Sequence, residues 1–226
     1  PGPPPELQPM FLNYLKPIII EQLGPKKTEK LHTWICLGAP ESEIAHIAES
    51  LLGESFDIGY RLHRPYVELK VWTPVDYDIS SSKVFSTLEE KLKPWFVSNS
   101  VESIRMGFHK QLKNFQKVYV IDHLSSGLFL EKLKEDFNST HIRYQAFEHD
   151  SFRFFKEEEI KKIISSMPNK SNDLLISIFP KSENSGFLSL NASITTIELP
   201  RKIPINSKLG QLYIIEKCFH QVIQNE

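Results

Sequence analysis

The spacing of apolar residues predicts a small α+β unit in the first half of the chain. Apolar and polar residues alternate over 56–62 and over 66–72, as they do in paired β-strands that bury one face. The predicted elements are, in chain order, a strand at 32–37, a helix from Gly38-Ala39-Pro40 to Gly53, strands at 56–62 and 66–72, and a helix through Val84, Leu88, Leu92 and Trp95. This β-α-β-β-α order within residues 31–98 is typical of a small α+β domain.

After a join at 99–103, strands and helices alternate to the end of the chain. The predicted elements are a helix at 101–114, a strand at 117–121, a helix at 125–136, a strand at 141–147, a helix at 156–166, a strand at Asp173–Phe179, a hairpin near 186–199 and a last helix through Leu209, Leu212, Ile215, Phe219 and Val222. Such alternation predicts a three-layer α/β/α domain with a largely buried sheet over residues 101–226. The predicted fold class is therefore α/β.

Residues 1–30 stand apart from both units as a helical leader. We expect the helix to end at Pro17 and the break at 24–27, since proline and glycine interrupt helices. Its apolar face consists of Met10, Phe11, Tyr14 and Leu15. This face would be too exposed alone, so we predict that the leader packs on a partner surface.

Composition and charge argue against some classes of function for this protein. The 226 residues carry 27 basic and 28 acidic side chains, a net charge of −1, so no basic excess is available to bind a phosphate backbone. No apolar run approaches the ~18–20 residues of a membrane span and no signal-peptide pattern opens the chain, which predicts a cytoplasmic protein. Cys36 and Cys218 lie in apolar stretches, and we interpret them as buried reduced thiols rather than as a disulfide or a metal site.

The end of the strand at 117–121 is the most informative position for chemistry. The apolar strand is followed by polar residues, a Ser-Ser-Gly turn and an amphipathic run, which places a helix N-terminus at the carboxyl end of a buried strand. Open α/β sheets bind ligands at such positions, where free N–H groups favour an anion or a polar ligand. The candidate ligand-binding residues are Asp122, His123, Ser125, Ser126 and Gly127.

Three segments resemble the competence/damage-inducible protein A (CinA) family. Residues 1–11, Pro-Gly-Pro-Pro-Pro-Glu-Leu-Gln-Pro-Met-Phe, are similar to the end of that family's N-terminal molybdopterin-binding-like domain. Residues 38–44 and 57–60 are similar to its GIGESEL and GYL stretches, which lie in a KH-like middle domain. Residues 120–128 fall where its C-terminal domain carries AESCTGGL.

The resemblance implies a function for each part of the chain. Residues 1–30 would be the tail of the molybdopterin-binding-like domain, 31–98 a KH-like domain, and 101–226 a nicotinamide-nucleotide amidohydrolase-like domain that deamidates nicotinamide mononucleotide. In such amidases a serine attacks the amide, a lysine removes its proton and backbone N–H groups hold the oxyanion. No cofactor and no metal are expected.

Aligned residue by residue, the catalytic groups of the family are missing. The family's Glu-Ser-Cys-Thr-Gly-Gly lies over 122–127, so that His123 takes the nucleophile position. Its Tyr-Ser-Asn-Glu-x-Lys falls near 147–152, where Phe147 and Phe152 replace the tyrosine and the lysine. Its glycine-rich loop, at 177–181, has lost its glycines and with them the close approach of the backbone. We therefore predict no catalytic residues and an inactive amidase-like domain, retained for assembly or for binding a nucleotide-like small molecule.

The same residues allow an active enzyme as an alternative. His123 could act as a general base for Ser125 or Ser126, steered by Asp122, in an amidohydrolase with a rearranged site. We favour Asp122 and His123 as strand-end polar groups that bond turn amides, and Ser125 as a helix N-cap.

A nucleic-acid-binding module is a second alternative, raised by the KH-like resemblance. Such a module clamps nucleotides with a Gly-x-x-Gly loop, whereas this chain has Gly53-Glu54-Ser55-Phe56. Basic and aromatic residues that could contact nucleic acid lie nearby: Arg61, His63, Arg64, Lys70, Tyr60, Tyr66 and Trp72. Packing of these residues on a neighbouring domain explains their presence equally well. With the charge balance, this argues against nucleic acid as a partner. No membrane partner is expected, and because full-length family members resemble dimers we expect a homodimer.

Overall fold

The chain begins with a helical leader. A computed structural model describes residues 4–23, 29–136, 142–146, 152–167, 172–200 and 203–224. The leader consists of α1 (Pro4–Met10), a π-helical turn (Phe11–Leu15) and α2 (Lys16–Leu23). The expected end at Pro17 is wrong, because α2 runs through Pro17 directly after the π-helical turn, which replaces the regular hydrogen-bond pattern that a proline interrupts. The expected break at 24–27 lies outside the described residues.

The first unit is a four-stranded antiparallel sheet with helices on one face. Its elements are β1 (Glu29–Leu37), α3 (Glu41–Leu52), a 3-10 turn (Gly53–Ser55), β2 (Asp57–His63), β3 (Tyr66–Pro74), α4 (Lys83–Leu92) and β4 (Phe96–Ser98). The strand order is β2-β3-β1-β4. The helix expected through Trp95 ends at Leu92 because Pro94 cannot continue it, and the chain then adds β4, which the sequence did not predict.

The second unit is a five-stranded mixed sheet of order β6-β5-β7-β8-β9. Its elements are α5 (Val101–Leu112), β5 (Lys117–Asp122), α6 (Leu128–Asp136), β6 (Ile142–Ala146), α7 (Glu157–Ser165), β7 (Asp173–Ser182), β8 (Ser185–Leu190), β9 (Ser193–Glu198) and α8 (Lys208–Gln224). Strands β5, β6 and β7 are parallel, and β8 and β9 continue the sheet as antiparallel strands. The helix expected from 125 begins at Leu128.

Alternation along the central strands creates two apolar layers on this sheet, as the α/β/α prediction required. Val118 and Val120 of β5 join a buried cluster with α5, α6 and α8, whereas Ile121 joins a second cluster with α7. Because successive side chains of a strand point to opposite faces, one short strand contributes to both layers. The α/β fold class predicted from the sequence is confirmed.

The two units share an apolar core. Ile35, Leu37 and Tyr66 of the first sheet belong to the same buried cluster as Phe108 and Phe219 of the second unit. The remaining core of the first unit, on the α3 and α4 side of its sheet, forms a separate cluster. The second sheet falls within the predicted range 101–226, whereas the first begins at Glu29, two residues before the predicted range 31–98. That these ranges are separate domains stays a prediction.

Two further findings concern the cysteines and the possibility of a membrane span. Cys36 and Cys218 are both buried and free, as the sequence predicted. Within the described residues, no helix combines the length and the apolar character needed to cross a membrane.

Candidate functional site

The predicted site lies where the strand order of the second sheet reverses. From β5 the chain runs to β6 on one side, and later returns to β7 on the other side of β5. Helix α6, after β5, packs on one face, and α7, before β7, packs on the opposite face. Open α/β sheets bind ligands at such a switch point, outside the carboxyl ends of the strands. The turn at 122–127 therefore has the position of a binding site.

Asp122 organises this turn. Its side chain is 2% exposed, and its Oδ1 accepts hydrogen bonds from the N–H groups of Leu124 at 2.9 Å and Ser125 at 2.7 Å. Its Oδ2 accepts the Ser125 hydroxyl and, at 3.4 Å, the N–H of Gly127. The carboxylate thus takes the backbone donors with which such a turn would hold an anion. This is the role expected for Asp122 from its place at the strand end.

Ser125 has both sides of its hydroxyl engaged. The buried Oγ donates to Asp122 and accepts the N–H of Phe129 at 2.9 Å. We expected Ser125 to be the N-cap of α6, but this helix begins at Leu128, so Ser125 precedes the N-cap position. Its hydroxyl still accepts a hydrogen bond from an N–H of the first helical turn, as a capping side chain does. Asp122 and Phe129 are structural partners, and neither is a lysine or a histidine that could activate the hydroxyl.

Ser126 and Gly127 give the turn its shape. Both have positive φ, 51° at Ser126 and 96° at Gly127. Ser126 is exposed, and a Cβ added at Gly127 would meet no described atom within 4 Å. Gly127 is therefore required for its backbone conformation, not for close approach to another part of the chain.

His123, at the position of the family nucleophile, lies between two aromatic rings. Its imidazole stacks on Phe179 with 4.7 Å between ring centroids and an angle of 18°, and it is tilted against Phe155 at 5.0 Å. The backbone N–H of His123 donates to the backbone carbonyl of Ile178 at 3.0 Å, which extends the pairing of β5 with β7. The described contacts of the His123 ring are thus with these two aromatic rings, at the carboxyl end of β5. No described contact brings the ring to the Ser125 hydroxyl.

The other positions of the aligned motifs are dispersed. Phe147 lies outside the described residues. Phe152, at the position of the family lysine, is 45% exposed and packs edge-on against Phe154 at 5.5 Å. Ser177 is fully buried in β7, and its hydroxyl has no hydrogen-bond partner among the residues described. The structure brings Asp122 and Ser125 together, and it does not join Phe152 or Ser177 to them.

The basic surface of the first unit is partly neutralised. Glu68, 7% exposed, forms an ion pair with Lys70 at 3.2 Å and lies 3.9 Å from Arg61. Trp72 packs against Gly59, where an added Cβ would lie 3.1 Å from the ring. In the described part of the chain, no three His, Cys, Asp or Glu side chains are grouped as a metal site would need.

Sequence reasoning missed a buried polar cluster at the junction of the two units. The hydroxyl of Tyr66 donates to Glu216 Oε2 at 2.7 Å and lies 3.3 Å from His220 Nε2, while Arg105 pairs with Glu216 Oε1 at 2.6 Å. Burial, followed by the charges of Lys217 and Arg105, lowers the pKa of His220 to about 4. The acid within the apolar last helix was the available signal, but its partners are 111 and 150 residues away in sequence.

Comparison with known proteins gives one distant relative. No protein-family model matches the chain. The chain is 29% identical over 140 residues to the "Putative competence-damage inducible protein" of Geobacillus sp. (strain WCH70), a match that covers 59% of this chain and 34% of that protein. The chain thus matches about a third of the length of this relative. This similarity supports the CinA-like resemblance at the level of a distant relative.

A solved structure also aligns with the chain, although loosely. It is a formyltetrahydrofolate deformylase from Pseudomonas putida KT2440, with 11% identity, coverage of 87% of this chain and 94% of its own, and a TM-score of 0.23. Such a score does not indicate a shared fold, and nothing about this protein follows from it.

Proposed function

We propose that this protein is CinA-like, with an amidase-like domain that no longer catalyses and that serves in assembly or in binding a nucleotide-like small molecule. The observation that carries the proposal is the Asp122 carboxylate, which accepts from the N–H groups of Leu124, Ser125 and Gly127. An oxyanion hole needs such donors free and directed at the substrate. Here the shorter Asp122, which stands where the family has a glutamate, already accepts from these donors.

The side chains around the turn support the same proposal. A serine amidase needs a hydroxyl in contact with a base, and the base oriented by a third group. The Ser125 hydroxyl is instead bonded to Asp122 and to the Phe129 N–H, and the His123 ring packs between Phe155 and Phe179. Loss of such a unit costs several orders of magnitude in rate, because its members act together.

The experiment is an assay for ammonia release from nicotinamide mononucleotide by the full chain. We expect no release above a blank without protein, for the wild type and for His123→Ser, since one substitution cannot restore a hydroxyl–base pair. Ser125→Ala and Ser126→Ala form a matched pair, one buried and bonded, the other exposed. Release at an ordinary enzymatic rate that either alanine variant abolishes would establish instead an active amidohydrolase with a rearranged site.

Retained binding is tested separately by soaking crystals with nicotinamide mononucleotide. Density beside 125–127 is the result expected if the site still binds a nucleotide-like molecule. Absence of density at saturating ligand would leave assembly as the proposed role of the domain. Binding of single-stranded RNA is not expected, since Glu68 neutralises Lys70 and the net charge is −1. Submicromolar RNA affinity at physiological salt would favour the nucleic-acid-binding alternative.

We also propose that the protein is a cytoplasmic homodimer whose two copies associate through the leader. Side chains of the leader leave large apolar surface open, with Met10 55%, Phe11 44%, Tyr14 68% and Leu15 46% exposed. Exposed apolar surface of this size on one helix is typical of an interaction site.

A further inference from the structure

A cavity lies at the junction of the two units, away from the turn at 122–127. It has a volume of about 380 Å³, within the ~300–1,000 Å³ usual for small-molecule sites. Its walls come from the loop between β1 and α3, the turn between β2 and β3, and the region around the start of α8. Pockets between packed units are a common location for ligands.

The loop that forms one wall is fixed in place. Gly38 has φ of 73°, and its N–H donates to the Pro65 carbonyl at 3.0 Å, which ties the loop to the opposite turn. A Cβ added at Gly38 would come within 2.4 Å of the Tyr213 ring. The ring therefore lies directly against the backbone, and only glycine permits this arrangement. The cavity is held by contacts that do not depend on a ligand.

The apolar part of the lining would accept a hydrocarbon or an aromatic body. Leu62, Pro65, Val67, Ile203 and Leu209 contribute to it. Contact with such walls stabilises a bound ligand by removing its apolar surface from water, but does not fix the orientation of the ligand.

The polar part of the lining includes two side-chain donors, Tyr213 and Arg64, for which the described residues supply no acceptor. Tyr213 is only 8% exposed, lines the cavity, and makes no hydrogen bond through its hydroxyl to any residue in the described ranges. Arg64, which lines the cavity and is exposed, has no ion pair there either. The Tyr213 ring is thus buried while its hydroxyl is left open to a ligand or to solvent, as is common for tyrosine at binding surfaces.

The first turn of α3 adds two more donors to the same cavity. The N–H groups of Glu43 and Ile44 are satisfied by the Pro40 carbonyl. Pro40 at the N-cap offers no side-chain acceptor for the N–H groups of Glu41 and Ser42, which both line the cavity. Unsatisfied N–H groups at the start of a 12-residue helix favour a negative charge. The exposed Glu41 carboxylate opposes that preference, although solvent screens it.

We propose that this cavity binds a small organic acid, with its apolar or aromatic body on the Leu62 and Leu209 side. The anionic group would accept from the Arg64 guanidinium and from the Tyr213 hydroxyl. This inference is independent of the function proposed for the turn at 122–127, since the two sites share no residue.

Titration of the full ¹⁵N-labelled chain with benzoate, followed by NMR, tests the proposal. We expect saturable shifts confined to residues of the cavity, with a Kd of about 1 mM or tighter for a ligand of this size. Benzamide, the neutral isostere, should bind at least about tenfold more weakly, because charge-assisted hydrogen bonds are the stronger ones. Absence of saturable shifts, shifts centred on 122–127, or equal binding of benzamide would overturn the proposal.

Variants assign the binding to the named side chains. Arg64→Gln should raise the Kd of benzoate about tenfold and Tyr213→Phe several-fold, whereas Glu41→Gln should lower it about twofold. Arg61→Gln is the matched control, because it makes the same charge change on the neighbouring strand at a residue outside the cavity lining. Wild-type affinity in both Arg64→Gln and Tyr213→Phe would also overturn the proposal. The amide spectrum of each variant shows that it is folded.

Discussion

The Tyr66 hydroxyl donates a 2.7 Å hydrogen bond to Glu216, which joins the first sheet to the last helix. Tyr66 is 1% exposed and Glu216 2%. The second carboxylate oxygen of Glu216 pairs with Arg105, so the acid is buried with both oxygens bonded. Burial of a carboxylate is tolerated only with such compensation. The orientation of the two units is thus linked to one polar cluster inside an apolar interface.

Tyr66→Phe should destabilise the protein by about 1.5–3 kcal/mol, the range for a hydrogen bond to a charged group. The variant leaves one oxygen of buried Glu216 without this donor. Urea unfolding at pH 7 measures the change in the free energy of unfolding. Tyr60→Phe is the control, since its hydroxyl bonds Glu49 at 3.3 Å in an exposed position and should cost less than about 0.5 kcal/mol. Equal losses in the two variants would contradict the prediction.

His220 should make stability fall as the solution is acidified. Burial holds its folded pKa at about 4, below its ordinary 6.5. Between these values the unfolded chain takes up a proton at His220 while the folded chain does not, so this stability is present above pH 6.5 and is lost toward pH 4. From pH 7 to 5 the loss due to His220 should be about 2 kcal/mol.

The difference between the wild type and His220→Gln isolates this contribution from the other histidines. Urea unfolding of both proteins at pH 7, 6 and 5 should show a shallower pH dependence in the variant. Parallel curves for the two proteins would show that the buried ring does not resist protonation.

Asp122→Asn should cost about 1–3 kcal/mol of stability, because the amide cannot accept from all the donors that the carboxylate satisfies. Thermal or urea unfolding measures it. Asp78→Asn is a matched control, since Asp78 also accepts from the N–H and the hydroxyl of a following serine, Ser80, but in an exposed turn. Hydrogen bonds to Ser80 and Ser81 lower the pKa of Asp78, yet exposure should keep the cost of its replacement well below that of Asp122. A larger loss for Asp78→Asn would contradict the structural role of Asp122.

Self-association should depend on the leader. Sedimentation at micromolar concentration should give twice the 26.2 kDa chain mass for the wild type and the chain mass for Phe11→Glu. A glutamate there would place a charge in the proposed interface. Met106→Glu, at a residue 60% exposed on α5, is the control and should leave the dimer intact. A monomeric wild type would exclude dimerisation through the leader at that concentration.

The periodicity of apolar residues was enough to predict most of the elements and the α/β class, because burial of one helix stripe or strand face acts locally. Local chemistry likewise identified Asp122 as a group that bonds turn amides, since its partners lie within five residues. The predicted and observed element bounds differ at local irregularities. After the π-helical turn the leader helix continues through Pro17, and α4 ends before Pro94 and is followed by a short strand.

Contacts between distant segments were decided only by the tertiary structure. The packing of His123 against Phe155 and Phe179, the Tyr66–Glu216 bond and the cavity beside Tyr213 each join residues from different elements. No sequence period records such pairs, because they depend on strand order and on how the two sheets meet. The sequence by itself determined where the chain forms strands, helices and a polar turn at the end of β5. The tertiary structure decided which of those polar groups are already bonded and which donors remain open, as at Tyr213.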